Sequence, residues 1–271
     1  MPPAPDRPPE PSALHEAFRR NGPVDWGDNV VSAADIARLH GAKATRRSLR
    51  LLEHTVGLEP RITAQFLASL PPSASPYHLA RRVKSPESLA RKIQNTATKR
   101  RRVPLDDVLR YTALTASPDE LVEAARRAID SLTDQGWRVK YAVQSYTDGS
   151  RYKGLHAYLA ADGIERVEVQ FHSADSVNVK ELTTPWYEIE RSGEFPKEER
   201  AAARQKCVDL SATLSPPRGI ESLTVLGGRS VAVCNYSDSR QRPNAPEQLS
   251  ADSSPATEHL PVITKNDGMM R

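Results

Sequence analysis

Cysteine is nearly absent. Only Cys207 and Cys234 occur in 271 residues, too few for a disulfide framework or a cysteine-built metal site, and they fit a reducing compartment. No apolar stretch approaches the ~18 residues that a membrane span requires. The first residues, Met1 to Pro11, are rich in proline and charge and contain no apolar run, which speaks against a secretory signal. A soluble, cytoplasmic protein is expected. His15, His40, His54 and His78 fall in no metal-ligand spacing. Gly227-Gly228 is followed by neither Lys-Ser nor Lys-Thr, so it reads as a turn and not as a phosphate loop.

Charge is present in both signs, but unevenly. The formal net charge is +4. From Arg81 to Arg102, nine basic residues stand against a single acid, Glu87. That window is therefore +8 and the remainder of the chain sums to −4. A concentrated cationic patch on a mildly acidic body suits a site for phosphates better than general adhesion to polyanions. The run Lys99 to Arg102 taken alone reads as a solvated basic stretch.

The length suffices for one sizeable core and a small helical appendage. The expected organisation is a disordered tail over 1–31, a helical segment over 32–75, a main domain over 76–236 and a disordered tail over 237–271. In the helical segment Ser32 caps a helix carrying Ile36 and Leu39, and a second run carries Leu49, Leu52 and Val56. Ser85-Pro86-Glu87 is a strong helix start: a capping hydroxyl, proline in the first turn and an acid beside it. That helix is expected to reach about Thr96, with Leu89 and Ile93 inward and Ser88, Lys92 and Asn95 on a polar stripe. A strand over Asp107 to about Thr115 follows. Ser117-Pro118-Asp119-Glu120 then caps a helix that ends at Gly136.

Three strands come next by period-two alternation. The first carries Trp137, Val139, Tyr141 and Val143 on one face. The second carries Leu155, Ala157 and Leu159, and the third Val167, Val169 and Phe171. A last helical region over about 174–214 is expected to be interrupted at Pro185 and Pro196, with Trp186 and Tyr187 packing it onto the sheet. The expected class is α+β: a mixed sheet of about four to five strands with helices packed on it.

The polar faces of those strands gather chemistry. Glu168, Gln170 and His172 alternate outward on one strand, His156 and Tyr158 on its hairpin neighbour, and Tyr152 shares their parity. Asp107 opens a further strand close to the basic helix. Phosphoryl transfer uses such parts: one or two carboxylates for magnesium, Lys and Arg on the phosphates, and an orienter for the attacking hydroxyl. Asp107 and Glu168 can be the carboxylates. Lys84, Ser88, Lys92 and nearby arginines such as Arg82 and Arg110 can clamp phosphates. Tyr152 can stack on a base.

Four segments resemble the RelA/SpoT synthetases, especially the small alarmone synthetases. Arg82-Val83-Lys84-Ser85-Pro86-Glu87-Ser88-Leu89, with Lys92-Ile93, resembles their ATP-phosphate segment. Asp107-Val108-Leu109-Arg110-Tyr111-Thr112 resembles their magnesium-aspartate strand. Tyr152-Lys153-Gly154-Leu155-His156 resembles the acceptor loop, usually Tyr-x-Ser-x-His, and Val167-Glu168-Val169-Gln170 resembles the Glu-x-Gln strand. The resemblance implies ATP contacts at Lys84, Ser88 and Lys92, magnesium at Asp107 and Glu168, and activation of the acceptor hydroxyl by Glu168. It implies stacking of Tyr152 on the acceptor base, supported by His156 and Gln170; Gln170 is expected among the catalytic groups with Asp107 and Glu168, and Lys180 at the acceptor. The implied activity is an ATP-dependent pyrophosphokinase that attacks the β-phosphate with a 3′-hydroxyl and releases AMP.

The sequence departs from the family at Arg151, where glycine is usual, at Gly154 in place of serine, and at Thr112 in place of arginine. His172 with Ser173, Ser176, Lys180, Tyr187, Glu188 and Arg191 looks closer to toxin-type relatives. The acceptor accordingly stays open among GDP or GTP, an adenine nucleotide and the tRNA 3′ end. Loss of the chemistry, leaving a nucleotide- or RNA-binding module, is the third reading. An antitoxin protein or a second copy of the chain is a candidate partner. The hydrolase half of long relatives is expected to be absent, since no His-Asp dipeptide occurs.

Overall fold

A computed structural model describes residues 8–98 and 107–238. The Lys99 to Arg102 run and most of the expected C-terminal tail lie outside the described residues. Helices α1 (Pro11–Arg19), α2 (Ala33–His40), α3 (Ala42–Val56) and α4 (Glu59–Ser69) come first. Strand β1 (Ala74–Pro76), α5 (Pro86–Thr98), β2 (Arg110–Thr115) and α6 (Pro118–Asp134) follow. The second half holds β3 (Arg138–Gln144), β4 (Leu155–Ala161), β5 (Ile164–Ser173), α7 (Ala174–Arg191), α8 (Lys197–Ala212), β6 (Val225–Leu226) and β7 (Arg229–Val233). No helix among the described residues is long and apolar enough to cross a membrane.

The helix starts form where their caps stand. The Ser117 side chain accepts from Asp119 N while Glu120 reaches back to Ser117 N, a reciprocal capping box that opens α6. Ser85 Oγ accepts from Ser88 N at 3.2 Å at the start of α5.

Seven strands form one mixed sheet in the order β1-β2-β5-β4-β3-β7-β6. Pairing is parallel between β2 and β5 and between β3 and β7, and antiparallel elsewhere. The architecture is α+β. Sheet size exceeds the expected four to five strands because β1, β6 and β7 are too short to show alternation. One face of β2, β5 and β4 is the core: Tyr111, Ala113, Val167, Val169, Phe171, Leu155, Ala157 and Leu159 are buried there together with Leu121, Ala125, Ala128 and Ile129 of α6.

Four further expectations are corrected. The N-terminal stretch is not a tail through residue 31, because α1 buries Leu14 and Phe18. Strand β2 begins at Arg110, and Asp107 stands in the turn before it. Pro185 does not interrupt α7: Thr183 and Glu190 are buried on either side of it, so packing carries the helix across one missing backbone donor. Trp186 and Tyr187 stand on the exposed side of α7 and not against the sheet.

A bulge in β3 overturns a fifth reading. Val139 pairs with Leu159, but the next register pair is Tyr141 with Tyr158. The extra residue switches parity. Val139 therefore faces the core, while Tyr141 and Val143 share the polar face with Tyr158 and His156.

Candidate active site

The cationic edge is assembled by a short antiparallel contact. Arg110 N donates to Arg82 O at 2.8 Å, Lys84 N donates to Val108 O at 3.0 Å, and Val83 bridges Leu109. This lays residues 82–84 beside residues 108–110 and sets Lys84 against Asp107. Lys84 Nζ and Lys92 Nζ donate to the two carboxylate oxygens of Asp107 at 2.8 and 2.7 Å. Burial works to raise the Asp107 pKa, but the Lys84 and Lys92 charges overcome it and hold the carboxyl below its ordinary value. Glu168 acts on Asp107 in the opposite direction, as a second negative charge. Ser88 lies in the first turn of α5, four residues before Lys92, so the two share a helix face.

Arg82 closes a short helical turn over Leu79–Arg81 and keeps helical backbone angles (φ −66°, ψ −26°), so strand alternation does not carry it to the side of Lys84. It is 2 % exposed, bonds Glu59 through Nε, and donates from Nη1 to Pro23 O at 2.6 Å. Its expected phosphate role is not supported by this placement. Arg82 instead fixes the N-terminal helices beneath the cationic edge.

Register places the remaining groups. Arg110 pairs with Glu168, Thr112 with Gln170, Tyr158 with Glu168 and His156 with Gln170, so these side chains share one face of the sheet. Three donors converge on Glu168 Oε1: His156 Nδ1 at 2.9 Å, Gln170 Nε2 at 3.0 Å and Tyr158 Oη at 3.2 Å. No hydrogen bond reaches Oε2 from the described residues. Burial alone would raise this carboxyl. The His156 hydrogen bond, the Arg110 charge and the Gln170 amide reverse that and hold it far below the usual range. An ionised carboxylate only accepts, so His156 carries its proton on Nδ1.

Lys180 of α7 reaches over the same face and donates to Gln170 Oε1 at 3.2 Å. Burial, and then the neighbouring Arg110 charge, pushes its ammonium down to about 8. Arg110 forms no ion pair among the described residues.

Tyr152 sits at the centre of a buried chain. Its hydroxyl lies 2.8 Å from His156 Nε2 and 2.7 Å from His172 Nε2, and His172 Nδ1 lies 3.0 Å from Ser176 Oγ. Burial pushes His172 well below its ordinary pKa and keeps it neutral. Gly154 is required for this arrangement: a Cβ there would stand 2.8 Å from the Tyr152 hydroxyl, 3.0 Å from His156 Nε2 and 3.1 Å from His172 Cε1. The departures at Gly154 and His172 thus belong together. The expected stacking of Tyr152 on a base does not match this geometry, because the ring is folded inward.

The loop around Tyr152 is held from three sides. Arg151 pairs with buried Glu190 of α7, which also accepts from Arg204 at 2.9 Å. Ser211 Oγ of α8 donates to Arg151 O at 2.9 Å. From the segment after β7, Asn235 Nδ2 donates to Asp148 O at 3.0 Å, Tyr236 N to Ser150 Oγ at 3.3 Å, and Arg151 N to Ser237 Oγ at 3.0 Å. The Tyr236 ring meets Tyr152 at 5.5 Å and 86°. Sequence reasoning missed Tyr236, which follows a short strand with no periodic signal.

No family model matches the chain, and no curated protein matches it. Among solved structures it is similar to a GTP pyrophosphokinase family protein from Streptococcus pneumoniae, at 14 % identity and a TM-score of 0.35, over 66 % of this chain and 87 % of that one. It is also similar to a chain in the complex between the Type VI effector Tas1 and its immunity protein, at 14 % identity and a TM-score of 0.36, over 64 % of this chain and 96 % of that one.

Asp107 and Glu168 are oxygen donors of the kind a hard divalent cation takes. Both are ionised, and Glu168 Oε2 accepts no hydrogen bond among the described residues. Among the described residues no group of three or more His, Cys, Asp and Glu side chains could hold a metal. Magnesium suits such a pair, since it takes one or two carboxylates and completes its shell with phosphate oxygens and water.

Proposed function

We propose that the chain is an ATP-dependent pyrophosphokinase of RelA/SpoT type, transferring the β,γ-diphosphate of ATP to the 3′-hydroxyl of a guanine nucleotide. One observation carries this reading: two ionised carboxylates, Asp107 and Glu168, stand among four cations, Lys84, Lys92, Arg110 and Lys180, beside the start of β2 and its neighbour β5.

The residues divide the work by chemistry. A triphosphate brings several negative charges and meets Lys84 and Lys92 beside the first turn of α5, with Arg110 and Lys180 on the far side. The lysines neutralise Asp107 when no phosphate is present, so the site exchanges one anion for another. Asp107 and Glu168 would hold magnesium, which when bound screens the charge on the β- and γ-phosphates. The acceptor oxygen bonds to the β-phosphorus while the bond to the α-phosphate oxygen breaks, and AMP leaves with that electron pair. Glu168 takes the acceptor proton, oriented for it by His156, Gln170 and Tyr158. Removing one preorganised group from such a site costs about 3 kcal/mol.

The test is direct. Purified protein with magnesium, ATP labelled at the γ-phosphate, and GDP, GTP, ADP, ATP or bulk tRNA as acceptor is expected to release AMP and label the guanine nucleotide. Labelling of an adenine nucleotide or of tRNA would instead assign the toxin-type acceptor. Folded protein that labels none of them overturns the reaction.

A further inference from the structure

We infer that Tyr236, and not Tyr152, is the ring that meets the planar base of the acceptor nucleotide, so that the segment after β7 forms the outer wall of the acceptor site. This rests on the proposed reaction and names how its second substrate is recognised.

Three neighbouring tyrosines are engaged. Tyr152 spends its hydroxyl on two imidazoles, and the missing Cβ at Gly154 is what lets it lie there. Tyr158 donates to Glu168 and stacks on Tyr141 at 4.2 Å and 16°. Tyr187 lies beneath the guanidinium groups of Arg151 and Arg191 at 5.3 and 5.6 Å. Tyr236 differs. Its hydroxyl makes no hydrogen bond among the described residues, its one ring contact among them is edge-to-face with Tyr152, and its side chain is partly exposed.

Position and anchoring agree with this role. Its ring meets Tyr152, whose hydroxyl lies 2.8 Å from His156 Nε2, and His156 Nδ1 lies 2.9 Å from Glu168, so a short chain of contacts joins Tyr236 to the carboxylate proposed to face the acceptor hydroxyl. The backbone holds it there: Cys234 N donates to Gln144 O at 2.9 Å, and the bonds at Asn235, Tyr236 and Ser237 clip both sides of it to the loop 148–151. A ring held by its own backbone loses little entropy when a base stacks on it. Stacking is also tolerant of which purine is present.

The experiment uses the full chain and two readouts: dissociation constants for GDP, GTP and ADP, and AMP release. Tyr236→Leu keeps bulk but removes the π-face. It is expected to weaken binding of the preferred acceptor by about 5- to 100-fold, with binding of a non-hydrolysable ATP analogue changed less than twofold. Tyr236→Phe keeps the ring and is expected to bind within about threefold of the native chain. Thermal midpoints of both variants check the fold, and a Leu variant that has lost its midpoint is replaced by Tyr236→Met. Acceptor binding through Tyr236 without AMP release upholds the inference and sinks the proposed reaction. AMP release with acceptor affinity indifferent to Leu and Met at 236 sinks the inference and leaves the reaction standing.

Discussion

Gly154→Ala probes the buried chain at its tightest point. The glycine has no left-handed backbone requirement, so the substitution adds one methyl and no backbone strain. That methyl would stand 2.8 Å from the Tyr152 hydroxyl and about 3 Å from both imidazoles. Either the cluster stays and accepts overpacking, at about 1–3 kcal/mol, or Tyr152 swings out and leaves buried imidazole nitrogens unpaired, at about 1–3 kcal/mol. Reduced freedom of the unfolded chain returns about 0.4–1 kcal/mol. The expected net loss is about 1–2 kcal/mol, read from urea unfolding followed by tryptophan fluorescence. Tyr152→Phe removes the atom in closest contact, so the two substitutions should couple: Gly154→Ala should cost at least about 0.5 kcal/mol less when Tyr152→Phe is already present. A Gly154→Ala protein as stable as the native one, or a double-mutant cycle without coupling, would refute the inward placement of Tyr152.

Glu168→Gln and Asp107→Asn are each expected to lower AMP release by about 100-fold or more while circular dichroism stays native; activity within threefold of native would remove the carboxylates from the reaction. His172 is neutral in the folded chain and takes up a proton below about pH 6.5 when unfolded. Stability should therefore fall as pH drops below 6.5, by up to about 1.4 kcal/mol per unit, and His172→Gln should flatten that slope between pH 6.5 and 5. Asp107 and Glu168, held below their ordinary values, begin to lose their contribution only as pH falls below about 4, so the two windows separate. Lys180, pushed down to about 8, should be about nine-tenths deprotonated at pH 9. Affinity for an ATP analogue should fall up to tenfold between pH 7 and 9, and Lys180→Met should abolish that dependence; an unchanged dependence in the variant would place Lys180 away from the phosphates.

Much of the fold was legible because local signals were strong. The caps at Ser85 and Ser117 stand where helices begin, and the alternation Val167, Val169, Phe171 against Glu168, Gln170, His172 divides core from site in β5. What failed has identifiable causes. One extra residue in β3 switched the face of Tyr141, and a period-two reading cannot see a bulge. Arg82 was grouped with its basic neighbours because charge clustering says nothing of direction; its partner, Glu59, lies 23 residues away. Tyr236 gave no signal at all, since its place is set by loop contacts far apart in sequence. Gly154 was visible as a departure, but its meaning needed the atoms it makes room for.

The Arg82–Glu59 pair also decides where the folded unit can be cut. A chain started at residue 76 would keep the guanidinium and lose its counter-charge together with Pro23 O, stranding a cation in an apolar interior at a cost of about 3–5 kcal/mol. Arg82 lies two residues before Lys84, so relaxation of that stranded charge would drag the cationic edge away from Asp107. The helices before residue 75 share one hydrophobic core with the sheet, and a shortened form is expected to fail by unfolding around Lys84 first.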